Sequence, residues 1–131
     1  MYQKELMSEV YWGFYTSKYN SFEKFIQEVI EYNKELGRNW VPNEIVLNCL
    51  EVTIQYSHTD TDEVNVNETN FDLVADNETG FTAGELLFKI HNQVVDKLKD
   101  ENHQFFEGLV LLETDNGMNP DKPHYFIKQG E

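Results

Sequence analysis

Two stretches of this chain repeat their apolar residues at spacings of three and four, and the stretches around them alternate. That change of period confines the fold to helices packed on a sheet. Over residues 21–36, Phe22, Phe25, Ile26, Val29, Ile30 and Leu36 fall on one helical face, with Asn33 the one gap. Asn20 or Ser21 can cap the start, and Gly37 stands where a helix ends in a left-handed residue. Over residues 82–99, Thr82 and Glu85 have the spacing of a capping box, and Phe81 is placed to staple onto Leu86. Leu87, Ile90, Val94 and Leu98 form its buried stripe, with Leu86 and His91 at the flanks. Lys97 and Lys99 lie in the last turn, where cations complement the helix dipole.

The other segments read as strands or turns. In residues 45–57, Leu50, Val52, Ile54 and Tyr56 alternate with polar neighbours. Residues 58–70 read as a polar loop in which Val64 and Val66 can form a short edge strand. Phe71, Leu73 and Ala75 resume the alternation, and residues 76–80 form a turn. Residues 104–113 read as a buried strand in which Gly108 marks a bulge or a close backbone approach. Residues 115–123 read as a turn-rich loop and 124–127 as a last short strand, with Gly130 and Glu131 fraying. Residues 3–15 fit both periods, and the reading adopted is a helix running to about Tyr15. The order of elements predicts an α+β fold. It is a single domain over 1–131, with a mainly antiparallel sheet of about four to five strands and two to three helices on one face.

A chain of 131 residues with 40% apolar content can bury about two-thirds of its surface, enough for one core. Its charge is lopsided. Ten Lys and Arg stand against 24 Asp and Glu, a net charge of −14. Between Arg38 and Lys89 there is no basic residue, and that span holds ten acids: Glu44, Glu51, Asp60, Asp62, Glu63, Glu68, Asp72, Asp76, Glu78 and Glu85. Acids gathered this way repel one another, which a cationic partner would relieve. Direct binding to nucleic acid or to an anionic membrane is disfavoured by the same charge. No segment approaches the apolar length of a membrane span, the N-terminus has no signal-peptide pattern, and cytoplasmic residence is the expectation.

Chemistry-bearing motifs are scarce. The lone Cys49 lies in an apolar run and is expected to be a buried small hydrophobe. Asp60-Thr61-Asp62-Glu63 departs from a calcium loop at Val64 and Asn65. His91 and His103 lack metal-ligand spacing, and His91-Asn92 are expected to satisfy nearby backbone groups. No nucleophile elbow or phosphate-binding glycine loop appears. Glu107 is the one acid set inside an apolar strand, where it can face solvent or pair across the sheet. No catalytic, cofactor-binding or metal-ligating residue is therefore expected, and no enzymatic activity.

One stretch carries a resemblance. Phe81-Thr82-Ala83-Gly84-Glu85-Leu86-Leu87-Phe88-Lys89-Ile90-His91-Asn92-Gln93-Val94-Val95 continues to His103-Gln104-Phe105-Phe106-Glu107-Gly108-Leu109, then Asn119-Pro120 and Pro123-His124-Tyr125-Phe126-Ile127 with Gly130. Over roughly 69–130, this resembles small bacterial immunity proteins that accompany polymorphic toxins of the contact-dependent growth inhibition and Rhs type. The resemblance implies a non-enzymatic protein that covers the active site of a cognate, basic toxin C-terminal domain, often a nuclease. It carries over no binding residues. On charge and loop placement, the candidate toxin contacts are Asp60, Asp62, Glu63, Glu68, Asp76 and Glu78, with Tyr56 or Trp40 as an aromatic anchor. Two other classes stay open: a nucleic-acid-mimicking inhibitor of DNA- or RNA-binding proteins, and a small ligand-binding domain between helix 82–99 and the sheet.

Overall fold

A computed structural model describes residues 2–59, 66–112 and 122–130. Its elements are β1 (Glu5–Leu6), β2 (Trp12–Gly13), α1 (Phe22–Glu35), β3 (Ile45–Leu47), β4 (Glu51–Thr59), β5 (Val66–Val74), β6 (Phe81–Thr82), α2 (Ala83–Leu98), β7 (Phe105–Leu111) and β8 (His124–Gly130). The fold is α+β. Six strands form one sheet in the order β1-β7-β8-β4-β5, with β2 also paired to β7, and β3 with β6 makes a separate two-stranded ribbon. The sheet is antiparallel except where β4 and β8 run parallel. There are more strands than expected and two helices among the described residues.

Both helices form where their apolar spacing places them. Ser21 Oγ accepts from Lys24 N at 3.2 Å and caps α1. Gly37 follows its end at φ +77°, as a left-handed cap requires. Thr82 Oγ1 accepts from Glu85 N at 3.1 Å and caps α2. The Glu85 carboxylate, however, accepts from Asp76 N at 2.7 Å and ties the preceding turn to the helix. Phe81, Leu86, Leu87, Ile90, Val94 and Leu98 are fully buried between the helices and the inner face of the sheet.

Residues 3–15 are not helical. They cross the β7 edge as two short strands, β1 opposite Leu109 and Val110, and β2 opposite Phe105 and Phe106. Aromatic and β-branched side chains suit a half-buried strand at least as well as a helix. Here Val10, Trp12 and Phe14 are all buried. The expected bulge at Gly108 lies where the chain steps between the two strands. Its φ is +121°, and a Cβ there would meet Leu6 O and Ser8 Cα, each at 3.1 Å.

Three further expectations change. Segment 45–57 is two strands, because β3 leaves to pair with β6, and Leu50 between them is 53% exposed. Residues 66–70 are not loop: β5 pairs with β4 along all nine of its residues, from Val66↔Thr59 to Val74↔Glu51. Val64 lies outside the described residues, as do 115–121 of the expected loop and the last residue of the expected strand 104–113. Gly130 is not frayed but pairs with Phe105 as the last residue of β8.

Candidate partner-binding surface

The helices cover the inner face of β4 and β5, and no helix or strand among the described residues lies over the other face. Strand parity puts Val52, Ile54 and Tyr56 inward beside Leu73, Phe71 and Thr69. It turns Glu51, Thr53, Gln55 and Ser57 outward beside Val74, Asp72, Asn70 and Glu68. β8 continues that outer face with His124, Phe126 and Lys128. Acids from the span without Lys or Arg thus share one surface with half-buried apolar groups and with Lys128.

The outer carboxylates are held in part by fixed partners. Thr53 Oγ1 and Lys122 Nζ both donate to Asp72, each at 2.7 Å. The hydrogen bond from Lys122, then that from Thr53, holds the Asp72 carboxyl below the usual carboxylate range. Lys122 Nζ also stands 4.0 Å from Glu51. Gln55 Nε2 donates to Glu68 at 3.0 Å. Lys122 is the cation paired with acids of this patch, Lys128 shares the face, and Glu68 has no ion pair among the described residues. A shallow cleft of about 260 Å³ between β4 and β8 is bounded by Gln55, Tyr56, Ser57, Glu68, Leu112 and Phe126. That is smaller than the roughly 300–1,000 Å³ usual for metabolite sites.

The expected contact residues divide into groups. Asp60, Asp62 and Glu63 lie outside the described residues, in the segment joining β4 to β5. Glu68 is exposed on the outer face. Asp76 and Glu78 are exposed in the turn after β5, where Lys89 Nζ binds Asp76 at 2.8 Å and Glu85 at 3.0 Å. Burial pulls the Lys89 ammonium's pKa down, but the hydrogen bonds to Asp76 and Glu85 outweigh that and leave it raised. The two aromatic candidates expose little of their rings. Tyr56 is 5% and Trp40 8% exposed, and both rings pack in the core. Glu51 and Asp72 were not among the expected contacts. Reading 66–74 with a period of two would have put Asp72 beside Glu68 on one face.

Several of the remaining chemistry-bearing side chains have structural partners. His91 is fully buried, and its Nδ1 accepts the Trp12 indole N–H at 3.0 Å. An indole nitrogen only donates, so His91 is neutral with its proton on Nε2, which donates to Ser17 O at 2.9 Å. Desolvation lowers its pKa. Asn92 Oδ1 accepts from Tyr19 N at 2.9 Å while its Nδ2 donates to Tyr19 O at 3.0 Å, so the pair does satisfy backbone groups. His103 pairs with Glu101 at 3.1 Å. Cys49 is buried, and desolvation raises its thiol pKa. Glu107 is exposed and has no ion pair among the described residues. Among those residues, no three His, Cys, Asp or Glu side chains are grouped to hold a metal. No helix among them is long and apolar enough to cross a membrane.

No family model, no curated protein and no solved structure matches this chain. The resemblance over 69–130 therefore rests on its residues alone.

Proposed function

We propose that this chain is a cytoplasmic immunity protein that binds a basic toxin domain, of nuclease type, and blocks its active site without turnover. The observation that carries this reading is the outer face of β4 and β5. There a span of 50 residues without Lys or Arg presents Glu51, Glu68 and Asp72 on a sheet face that no described helix or strand covers, with Lys122 bound to Asp72. A nuclease groove is cationic because it must hold phosphates, and carboxylates on a rigid sheet can take the places of those phosphates. The negative field of the whole chain speeds encounter with such a groove. The resemblance over 69–130 supports the same class.

Co-expression with the polypeptide encoded immediately upstream tests the proposal. A stable one-to-one complex that restores host growth is the expected result. A chain that instead captures many basic nucleic-acid-binding proteins weakly, with no rescue of growth, would support the nucleic-acid mimic and remove the immunity reading.

A further inference from the structure

At the other edge of the sheet, β2, β7 and the end of α1 enclose a groove of about 170 Å³. Trp12 and Phe106 form its buried floor, half-buried Tyr11, Tyr32 and Phe105 its walls, and exposed Glu107 its rim. Trp12 meets Tyr32 edge to face at 5.8 Å, and Tyr15, 46% exposed, extends the aromatic strip at 6.0 Å from Phe105. The strip depends on glycines on either side of Phe105, which pairs with Gly13 on β2 and Gly130 on β8. A Cβ on Gly13 would enter the Tyr15 ring, and one on Gly130 would enter the Glu107 carboxylate. The volume equals about five or six waters, which suits one long side chain better than a metabolite.

We infer that this groove receives a lysine or arginine side chain of the basic partner, with its charge over Tyr32 and Phe105 and against Glu107. The inference rests on the proposed function and adds a second contact to it. Two features carry it. Aromatic faces attract cations, most strongly where water is excluded. The Glu107 carboxylate, which lies over Gly130 next to Phe105, has no ion pair among the described residues, in a chain of net charge −14. Arg38 lies 4.0 Å over the Tyr11 ring and donates to the Tyr11 hydroxyl at 2.7 Å, so that wall is taken and the incoming charge is left the Tyr32 and Phe105 side. Strand parity puts Phe105 on the same outer face as Phe126, so one partner can span the groove and the acidic patch.

The test is an amide NMR titration of the intact protein with N-acetyl-arginine amide, against its neutral near-isostere N-acetyl-citrulline amide. Arginine is expected to bind about three- to tenfold tighter, with shifts centred on Tyr32, Phe105 and Glu107. Glu107→Gln should reduce that preference and Tyr32→Leu should weaken arginine binding, both with the dispersion of a folded spectrum. Equal binding of the two probes, or shifts confined to β4 and β5, would overturn the inference. The complex separates this inference from the proposed function. If the wild type binds its upstream-encoded partner and Glu107→Gln binds it equally well, the groove is not a contact and the immunity reading stands. If arginine binds the groove but no partner is bound, the immunity reading falls and the cation site stands.

Discussion

Three buried or half-buried polar side chains decide the path of residues 11–19. Asn33, the gap in the apolar face of α1, is fully buried. Its Oδ1 accepts from Tyr11 N at 2.8 Å, and its Nδ2 donates to Tyr11 O and Val29 O at 2.9 and 2.8 Å. Asn92 grips Tyr19 in the same two-handed way, and His91 holds Trp12 and Ser17 between them. Each amide does for one residue what a neighbouring strand would do for its backbone. His91→Leu would leave the Trp12 indole N–H and Ser17 C=O unpaired, and should lower the unfolding free energy by about 2–4 kcal/mol in urea melts. Asn33→Leu should act similarly and speed hydrogen exchange at the Tyr11 amide. Acid should act through His91 as well. Its surroundings are the rings of Trp12, Phe14, Tyr19 and Phe25, and its folded pKa is lowered. Below about pH 6.5 an unfolded histidine takes up a proton that the folded one refuses. Stability should therefore fall as pH drops through that value, and less steeply in His91→Leu than in the wild type.

The two helices, the 76–80 turn and the Gly108 bulge were all legible, because each has a local signal: a period, a cap or a glycine. What was not legible depended on partners distant in sequence. Residues 3–15 carry apolar residues at both periods, and only pairing with β7 and the grip of Asn33 choose between them. The first half of β5 reads as loop because its inward residues Asn67 and Thr69 are polar, and its strand character comes from β4. The same limit applied to the surface: alternation placed Tyr56 correctly on a strand but could not say which face the helices would cover. Gly108 ties β7 to the crossing of β1 and β2. Gly108→Ala should destabilise the fold by about 1–3 kcal/mol in a chemical melt, through the positive φ and the approach of Leu6 O. An unchanged midpoint would mean that the crossing segment can shift to make room.

At the scale of the whole molecule, the sheet separates two tasks. Its inner face and the helices hold the core, and its outer face gathers charge that the fold does not need. Neutralising Glu51, Glu68 and Asp72 together should leave stability nearly unchanged, since exposed ion pairs contribute little. It lowers the net charge from −14 to −11, because three acids are lost. Binding should respond far more than stability, because steering depends on the summed field and on carboxylates placed to meet cations. The most direct measurement is the association rate with the purified polypeptide encoded immediately upstream, the proposed partner, for the wild type and the Glu51→Gln, Glu68→Gln, Asp72→Asn triple variant. It would be read at about 0.05 and 0.5 M salt, on either side of the Debye length near 10 Å at 0.1 M. The wild-type rate should fall at least about tenfold between those salts, and the triple variant should start slower and fall less. Equal rates for the two proteins at both salts would contradict the claim that the outer face of the sheet meets the partner.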